Sequence, residues 1–267
     1  MTVGELIASI ERRFRAARLH YGHGTTNARD EAAFLVLRAL RLPFDANLSR
    51  EVSAKAVKQI EPLARRRIEE RTPVPYLVKE AWLDGMKFYV DERVIIPRSH
   101  IAFLLKKLGE PQRVLDLCTG SGCLAALAAR AFPKAEVVAS DLSADALAVA
   151  KKNVGARVRL VKSDLFHALK GERFDLILSN PPYVDAAAMR ELPPEYRHEP
   201  RLALAAGSDG LALVHRILRE APSQLTPRGL LLCEVGDSRR ALERAHPALR
   251  FEWPHPSVFR LRREKLG

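Results

Sequence analysis

The sequence predicts an α/β protein, an open sheet flanked by helices and preceded by a small helical bundle. Through residues 3–72 apolar side chains recur at helical spacing. At Pro73-Val74-Pro75 the chain reads as a stiff hinge, beyond which the apolar runs become short and strand-like. From residue 113 strand and helix patterns alternate, and the first of these strands ends in a glycine-rich turn. The predicted organisation is a helical recognition unit over residues 1–75, a hairpin linker over 76–98 and an α/β domain over 99–267.

Val3, Leu6, Ile7, Ile10 and Phe14 share one helix face, and Phe34, Leu35, Leu37 and Leu40 share another over Glu31 to Leu40. Thr26-Asn27 before Asp30-Glu31 reads as a helix start, and Gly22-His23-Gly24 and Leu42-Pro43-Phe44 as turns. Two more helices are expected, over Ser53 to Ile60 and Leu63 to Glu70. His20 and His23 lack a matching carboxylate or cysteine pair, so they read as loop or surface histidines and no metal site is expected. Asp84-Gly85 between the apolar runs of Trp82 to Val90 signals a hairpin, followed by Arg93 to Ile96 with a stop at Pro97 and by a helix over Ile101 to Leu108.

Arg113 to Leu117 then forms a buried strand, Cys123 to Ala131 a helix, and Glu136 to Ser140 and Val158 to Val161 two further strands. Phe174 to Ser179 is the fourth, stopped by Asn180-Pro181-Pro182-Tyr183. A helix over Leu211 to Ala221 and a strand over Leu230 to Val235 follow. Near the end of that strand Glu234 reads either as an oriented carboxylate beneath the site or as a strand-end acid bonded to nearby backbone.

Of the 267 residues 47% are hydrophobic and 28% charged, a globular composition. No apolar run reaches membrane-spanning length and the amino terminus lacks a signal-peptide core, so a cytoplasmic protein is expected. Cys118, Cys123 and Cys233 are odd in number and unlike a zinc knuckle in spacing, which reads as reduced packing residues. The net charge of +12 makes polyanions natural neighbours, unless it reflects compositional bias alone. Arg65, Arg66, Arg67 and Arg71, clustered before the hinge, could dock on RNA backbone or form a solvated helix face.

The chemistry is expected at two turns. In Asn180-Pro181-Pro182-Tyr183 the prolines have no N–H, so their carbonyls project from a stiff loop, and Asn180 adds a side-chain oxygen. A planar ligand amine could donate to Asn180 and to the Pro181 carbonyl while lying on Tyr183, leaving its lone pair turned towards an electrophile. That is a methyl-transfer geometry; the alternative is an ordinary strand-ending turn. Upstream, Asp116-Leu117-Cys118-Thr119-Gly120-Ser121-Gly122 precedes a helix, and Asp141 follows about twenty residues on, as for a ribose-binding acid. Pyrophosphate over these glycines would meet unfavourable charge from Asp116, whereas the ammonium of S-adenosylmethionine would be attracted, so Asp116 favours the methyl donor over a dinucleotide. Asp164 could accept from the adenine amine, with Leu165 or Phe166 against the ring, or could cap a helix.

These stretches resemble the protein-glutamine N5-methyltransferases over nearly the whole chain, most closely the branch that modifies the third protein of the large ribosomal subunit. Phe88-Tyr89-Val90-Asp91-Glu92-Arg93-Val94, Pro97-Arg98-Ser99 and Leu192-Pro193-Pro194-Glu195-Tyr196-Arg197-His198-Glu199-Pro200 carry the likeness, and Cys118 stands where the release-factor branch usually has Gly. The resemblance implies a class I, Rossmann-like, seven-stranded methyltransferase domain behind a helical substrate-recognition domain. It implies S-adenosylmethionine as donor, S-adenosylhomocysteine as product and a glutamine side chain as acceptor. It places Asp116, Thr119, Gly120, Ser121, Gly122, Asp141, Asp164 and Leu165 at the donor, and Asn180, Pro181, Pro182 and Tyr183 at the glutamine. Asn180 borders both ligands, and Phe88 is expected to touch both. A large-subunit ribosomal protein, free or in an RNA-containing particle, is the implied partner, with neither membrane nor metal. His100 and Phe103 depart from the branch, and the short tail from Phe251 to Gly267 lacks the glycine-rich turn of relatives, which leaves the last hairpin in doubt. Alternatives are a release-factor glutamine methyltransferase, an adenine-N6 nucleic-acid methyltransferase, and a non-enzymatic RNA-binding assembly factor. His198 is not required as a base, since a methylated amide is acidic enough to lose its proton unaided.

Overall fold

The computed structural model describes residues 1–266. α1 (Val3–Ala16), α2 (Ala28–Ala39) and α3 (Ala54–Glu69) pack around Ile10, Phe14, Leu35, Val36 and Ile60, all buried. Their starts follow the sequence signals: Thr2 Oγ1 accepts from Glu5 N while Glu5 Oε2 accepts from Thr2 N, and Asn27 caps α2. Where two helices are expected over residues 53–70, α3 is one. Pro62 lies within it, and both Pro62 and Lys58, whose carbonyl loses its helical donor, are exposed to water.

Three further expectations change in this region. His23 sits in a loop as expected but not at the surface: it is 1% exposed, its ring tilted 50° to that of Tyr196 with the centroids 4.5 Å apart. Burial, with Arg98 and Arg67 nearby, pulls its pKa down to about 3. The arginine cluster divides: Arg65 and Arg66 are exposed, whereas Arg67 is fully buried, donating to Glu31 Oε2 at 2.9 Å, Glu195 Oε1 at 3.2 Å and the His20 carbonyl at 2.7 Å. Arg66 pairs with Glu70, and Arg71 lies 3.7 Å from Glu195. Pro73-Val74-Pro75 is no hinge either. It opens α4 (Val74–Val78), with Pro75 in the first turn where its missing N–H costs nothing, and Val74, Pro75 and Tyr76 are buried.

β1 (Ala81–Leu83) and β2 (Met86–Phe88) pair around Asp84-Gly85, both at positive φ as a two-residue turn requires. Residues 93–96 join no strand; the Ile96 N–H goes instead to the Glu199 carboxylate at 3.0 Å. α5 (Ile101–Leu104) is shorter than expected and continues as a 3-10 turn over Leu105–Lys107.

The larger layer follows as β3 (Arg113–Leu117), α6 (Cys123–Ala131), β4 (Glu136–Asp141), α7 (Ala144–Val154), β5 (Val158–Lys162) and β6 (Phe174–Ser179). After these come α8 (Ala188–Glu191), α9 (Ala212–Glu220), β7 (Leu225–Glu234), α10 (Arg239–Ala245), β8 (Glu252–His255) and β9 (Val258–Arg262). Seven strands form one sheet in the order β5-β4-β3-β6-β7-β9-β8, with β9 antiparallel to both its neighbours. Strand alternation divides the core. Val114, Leu176 and Leu178 join the α6 side, and Leu115, Leu117 and Ile177 join Val214 and Ile217 of α9 on the other. The last hairpin forms despite the short tail, with Pro256-Ser257 at its turn; Gly267 lies outside the described residues. Among the described residues no helix is long and apolar enough to cross a membrane.

Candidate active site

The sheet order sets the site. The chain winds outward from β3 through β4 to β5, then returns to place β6 on the other side of β3, so the carboxyl ends of these strands open a crevice at the point of reversal. Leu117 is in register with both Ser140 and Ser179, and Ser179 Oγ donates to the Leu117 carbonyl at 2.9 Å. The turn after β3, Asp141 at the end of β4, Ser163-Asp164-Leu165 after β5 and Asn180 after β6 therefore line one cavity, together with Arg98, Ser99 and Pro182.

Asp116 is buried at the tip of β3. Its Oδ2 accepts from Thr119 Oγ1 at 2.5 Å and from Ala125 N at 2.9 Å, while Oδ1 is buried with no partner. Burial, against these two hydrogen bonds and helped by Asp141, raises its pKa to about 7. Asp141 uses one oxygen on Gly120 N and the other on Ser143 N, each at 2.9 Å, which fixes the carboxylate and leaves lone pairs free for hydroxyl donors. Gly122 has φ +80° and a Cβ there would meet Val154 Cγ1 at 2.7 Å, so only glycine lets the turn sit this close to α7. Thr119, Ser121 and Gly120 complete the turn, and Cys118 takes the left-handed conformation at φ +61°.

Asn180 is half-buried on the cavity, and its Oδ1 is buried with no partner. Pro182 lines the cavity too; Pro181 and Tyr183 do not. The Tyr183 ring packs on Gly236, where a Cβ would come within 2.6 Å of it, and burial with the Glu234 carboxylate nearby raises the phenol to about 12. Phe88 is 1% exposed in the core with Ile101 and Leu105 and is not among the cavity residues, because its position on β2 turns it inward. Asp164 lines the cavity while its carboxylate holds a two-pronged pair with Arg216 at 2.9 and 3.1 Å. The cap at residue 168 is made by Ser163 Oγ instead. Glu234 Oε2 accepts from Ser99 Oγ at 2.6 Å and from His100 N at 3.2 Å, which ties the cavity wall to β7. His198 lies away from this chemistry, with Nε2 2.7 Å from the Glu70 carbonyl.

Sequence reasoning gave no role to three groups that shape the wall. Arg98 pairs through both Nη atoms with buried Glu199, and Leu202 and Ala203 line the cavity from the segment beyond Pro200. The segment before it is anchored by Glu195 on Arg67 and the His20 N–H. The signal was present in the Tyr196 to Pro200 block, but block identity carries no information about which carboxylate faces which arginine. Asn153 was also missed: its amide bridges the Tyr89 backbone and the Ser121 carbonyl.

A family model described as the methyltransferase small domain matches residues 100–192. A protein of Burkholderia pseudomallei named ribosomal protein uL3 glutamine methyltransferase is 46% identical, over 94% of this chain and 90% of its own length. One of Bordetella pertussis with the same name is 48% identical over the same shares. Among solved structures, a methyltransferase from Pyrococcus furiosus is 17% identical with a TM-score of 0.49, covering 77% of this chain and 98% of that one.

Proposed function

The chain belongs to the ribosomal protein uL3 glutamine methyltransferases, and on that premise we propose that its cavity presents a glutamine side-chain amide of uL3 to S-adenosylmethionine for N5 methylation. One observation carries the assignment of roles: Asp116 Oδ1 and Asn180 Oδ1, two buried oxygens with no partner, belong to residues lining the same cavity. Buried acceptors left unmet are costly, so each calls for a donor from a ligand.

The residues present fit the methyl donor. Asp116 would take its ammonium group, Asp141 its ribose hydroxyls, and the Asp164-Leu165 turn its adenine; bound there, S-adenosylmethionine supplies an electrophilic methyl group. Thr119, Gly120, Ser121 and Gly122 shape the floor. An amide nitrogen is a weak nucleophile, its lone pair being delocalised into the carbonyl. Asn180 Oδ1 and the Pro181 carbonyl, which takes part in none of the backbone bonds of the loops, would accept both amide hydrogens. That fixes the plane of the amide and stabilises the positive charge that grows on nitrogen. Tyr183 would hold the tetrapeptide against Gly236 and back the amide. The proton is lost after transfer, to solvent or to the loop carbonyl.

The net charge of +12 supports a uL3 met within an RNA-containing assembly particle over the free protein, and a ribosomal substrate supports a cytoplasmic reaction. The test is to supply labelled donor with free uL3, uL3 in such a particle, release factor and RNA, across a salt series. Label on a uL3 glutamine is expected, faster on the particle and falling with salt. Label only on release factor or adenine would overturn the reading.

Asp116 also sets a pH dependence. Its pKa lies near 7 in the folded protein against 3.8 ordinarily, so the unliganded fold loses stability as pH rises from about 4 to about 7. A cationic donor prefers the carboxylate, so donor affinity measured by calorimetry is expected to rise with pH through about 7. Asp116→Asn should weaken and flatten that curve; a flat wild-type curve would count against the role.

A further inference from the structure

A second cavity, of about 330 Å³, lies between the amino-terminal helices and the β1–β2 hairpin. Ala33 and Phe34 of α2, Phe44, Trp82 of β1, Pro97 and His23 are among the residues that line it. Phe44 is 52% exposed and Trp82 37%, so both aromatic rings reach the surface at this cavity. They brace one another: Phe44 stacks 6.2 Å from Phe34 and meets Trp82 edge-on at 5.2 Å. In the same lining neither His23 ring nitrogen makes a hydrogen bond, the nearest carboxylate oxygen, of Glu199, lying 3.9 Å from Nε2, and Thr25 lies beside the Glu31 carboxylate. Pro97 lines the active cavity as well, so the two spaces share a wall.

A mostly apolar chamber with a buried imidazole that makes no hydrogen bond in its lining suits a polypeptide, which offers apolar side chains and peptide groups together. A neutral imidazole has one donor and one acceptor, matching a peptide carbonyl and N–H. The wall shared at Pro97 puts such a chain next to the cavity that receives the glutamine. We propose that this cavity docks a segment of the protein substrate flanking the modified glutamine, with one bulky apolar side chain between Phe34, Phe44 and Trp82 and a peptide group on His23. The inference rests on the proposed function and deepens it, giving the substrate a second point of attachment.

The test is equilibrium binding of intact uL3 to the full-length enzyme without donor, for wild type, Phe44→Ala, Trp82→Ala and the cavity-filling Ala33→Phe. Phe44 and Trp82 are exposed enough for truncation to spare the fold, and retained S-adenosylmethionine affinity checks this independently. The expected result is a Kd raised about tenfold or more by Trp82→Ala and by Ala33→Phe. A Kd within about twofold of wild type for both Phe44→Ala and Trp82→Ala would overturn the docking role. Because binding is read without turnover, failure of the unaltered enzyme to methylate uL3 would count against the function, whereas normal methylation with unaffected variants would remove the docking inference alone.

Discussion

Asn180→Ala is expected to lower kcat by about a hundredfold or more while leaving the affinity for S-adenosylmethionine nearly unchanged, as for loss of one preorganised contact to developing charge. The Asn180 oxygen is buried and unpartnered before any ligand arrives, so the protein has already met the cost of desolvating it, and an incoming amide gains the full interaction. Single-turnover rates at saturating donor, with donor binding measured separately, distinguish the roles. If donor affinity collapses and the rate per bound donor stays normal, Asn180 serves the donor and not the glutamine.

The largest stability effect is expected at Arg67. Arg67→Met removes the cation shared by Glu31 and Glu195, both 1% exposed, and should cost about 3–5 kcal/mol in urea denaturation because Glu31 is left without a cation and Glu195 keeps only Arg71 at 3.7 Å and the His20 N–H. Burial already raises the Glu31 pKa against the pull of Arg67, so in the variant protonation becomes the cheaper state. The deficit should therefore shrink as pH falls. Adding Glu31→Gln and Glu195→Gln to Arg67→Met should recover much of the loss; a variant as stable as wild type at neutral pH would show that the network contributes nothing.

The first four strands of the large sheet and their succession along the chain were legible where one residue type dictates one conformation. Apolar runs closed by Asp116 to Gly122 or by Asn180-Pro181 mark strand ends, and Asp84-Gly85 marks a hairpin. The placing of Asp116, Asp141 and Asn180 around one cavity follows from those strand ends. The errors came where tertiary contact overrode local pattern. Pro62 did not break α3 because Lys58, whose carbonyl it leaves without a donor, is exposed to water, and the prolines at 73 and 75 began a helix because Val74 and Tyr76 had a core to enter. His23 and Arg67 were read as surface groups because their burial depends on Tyr196, Glu195 and Glu199, more than a hundred residues away in the chain. Phe88 was assigned to ligands by likeness, although its strand position turns it into the core.

The sheet's outer strands bear on how copies of this chain meet at high concentration. An open sheet ends in two rows of unsatisfied backbone groups, each a template for strand addition. Here β8 at one edge carries the exposed Pro254, which has no N–H to offer, and its pairing with β9 slips in register between residues 252 and 255. At the other edge β5 is five residues long and exposes Arg159 and Lys162. Edge-to-edge growth would have to bring like charges together on one side and forgo a hydrogen bond on the other, so the chain resists fibrous association without any separate protective segment.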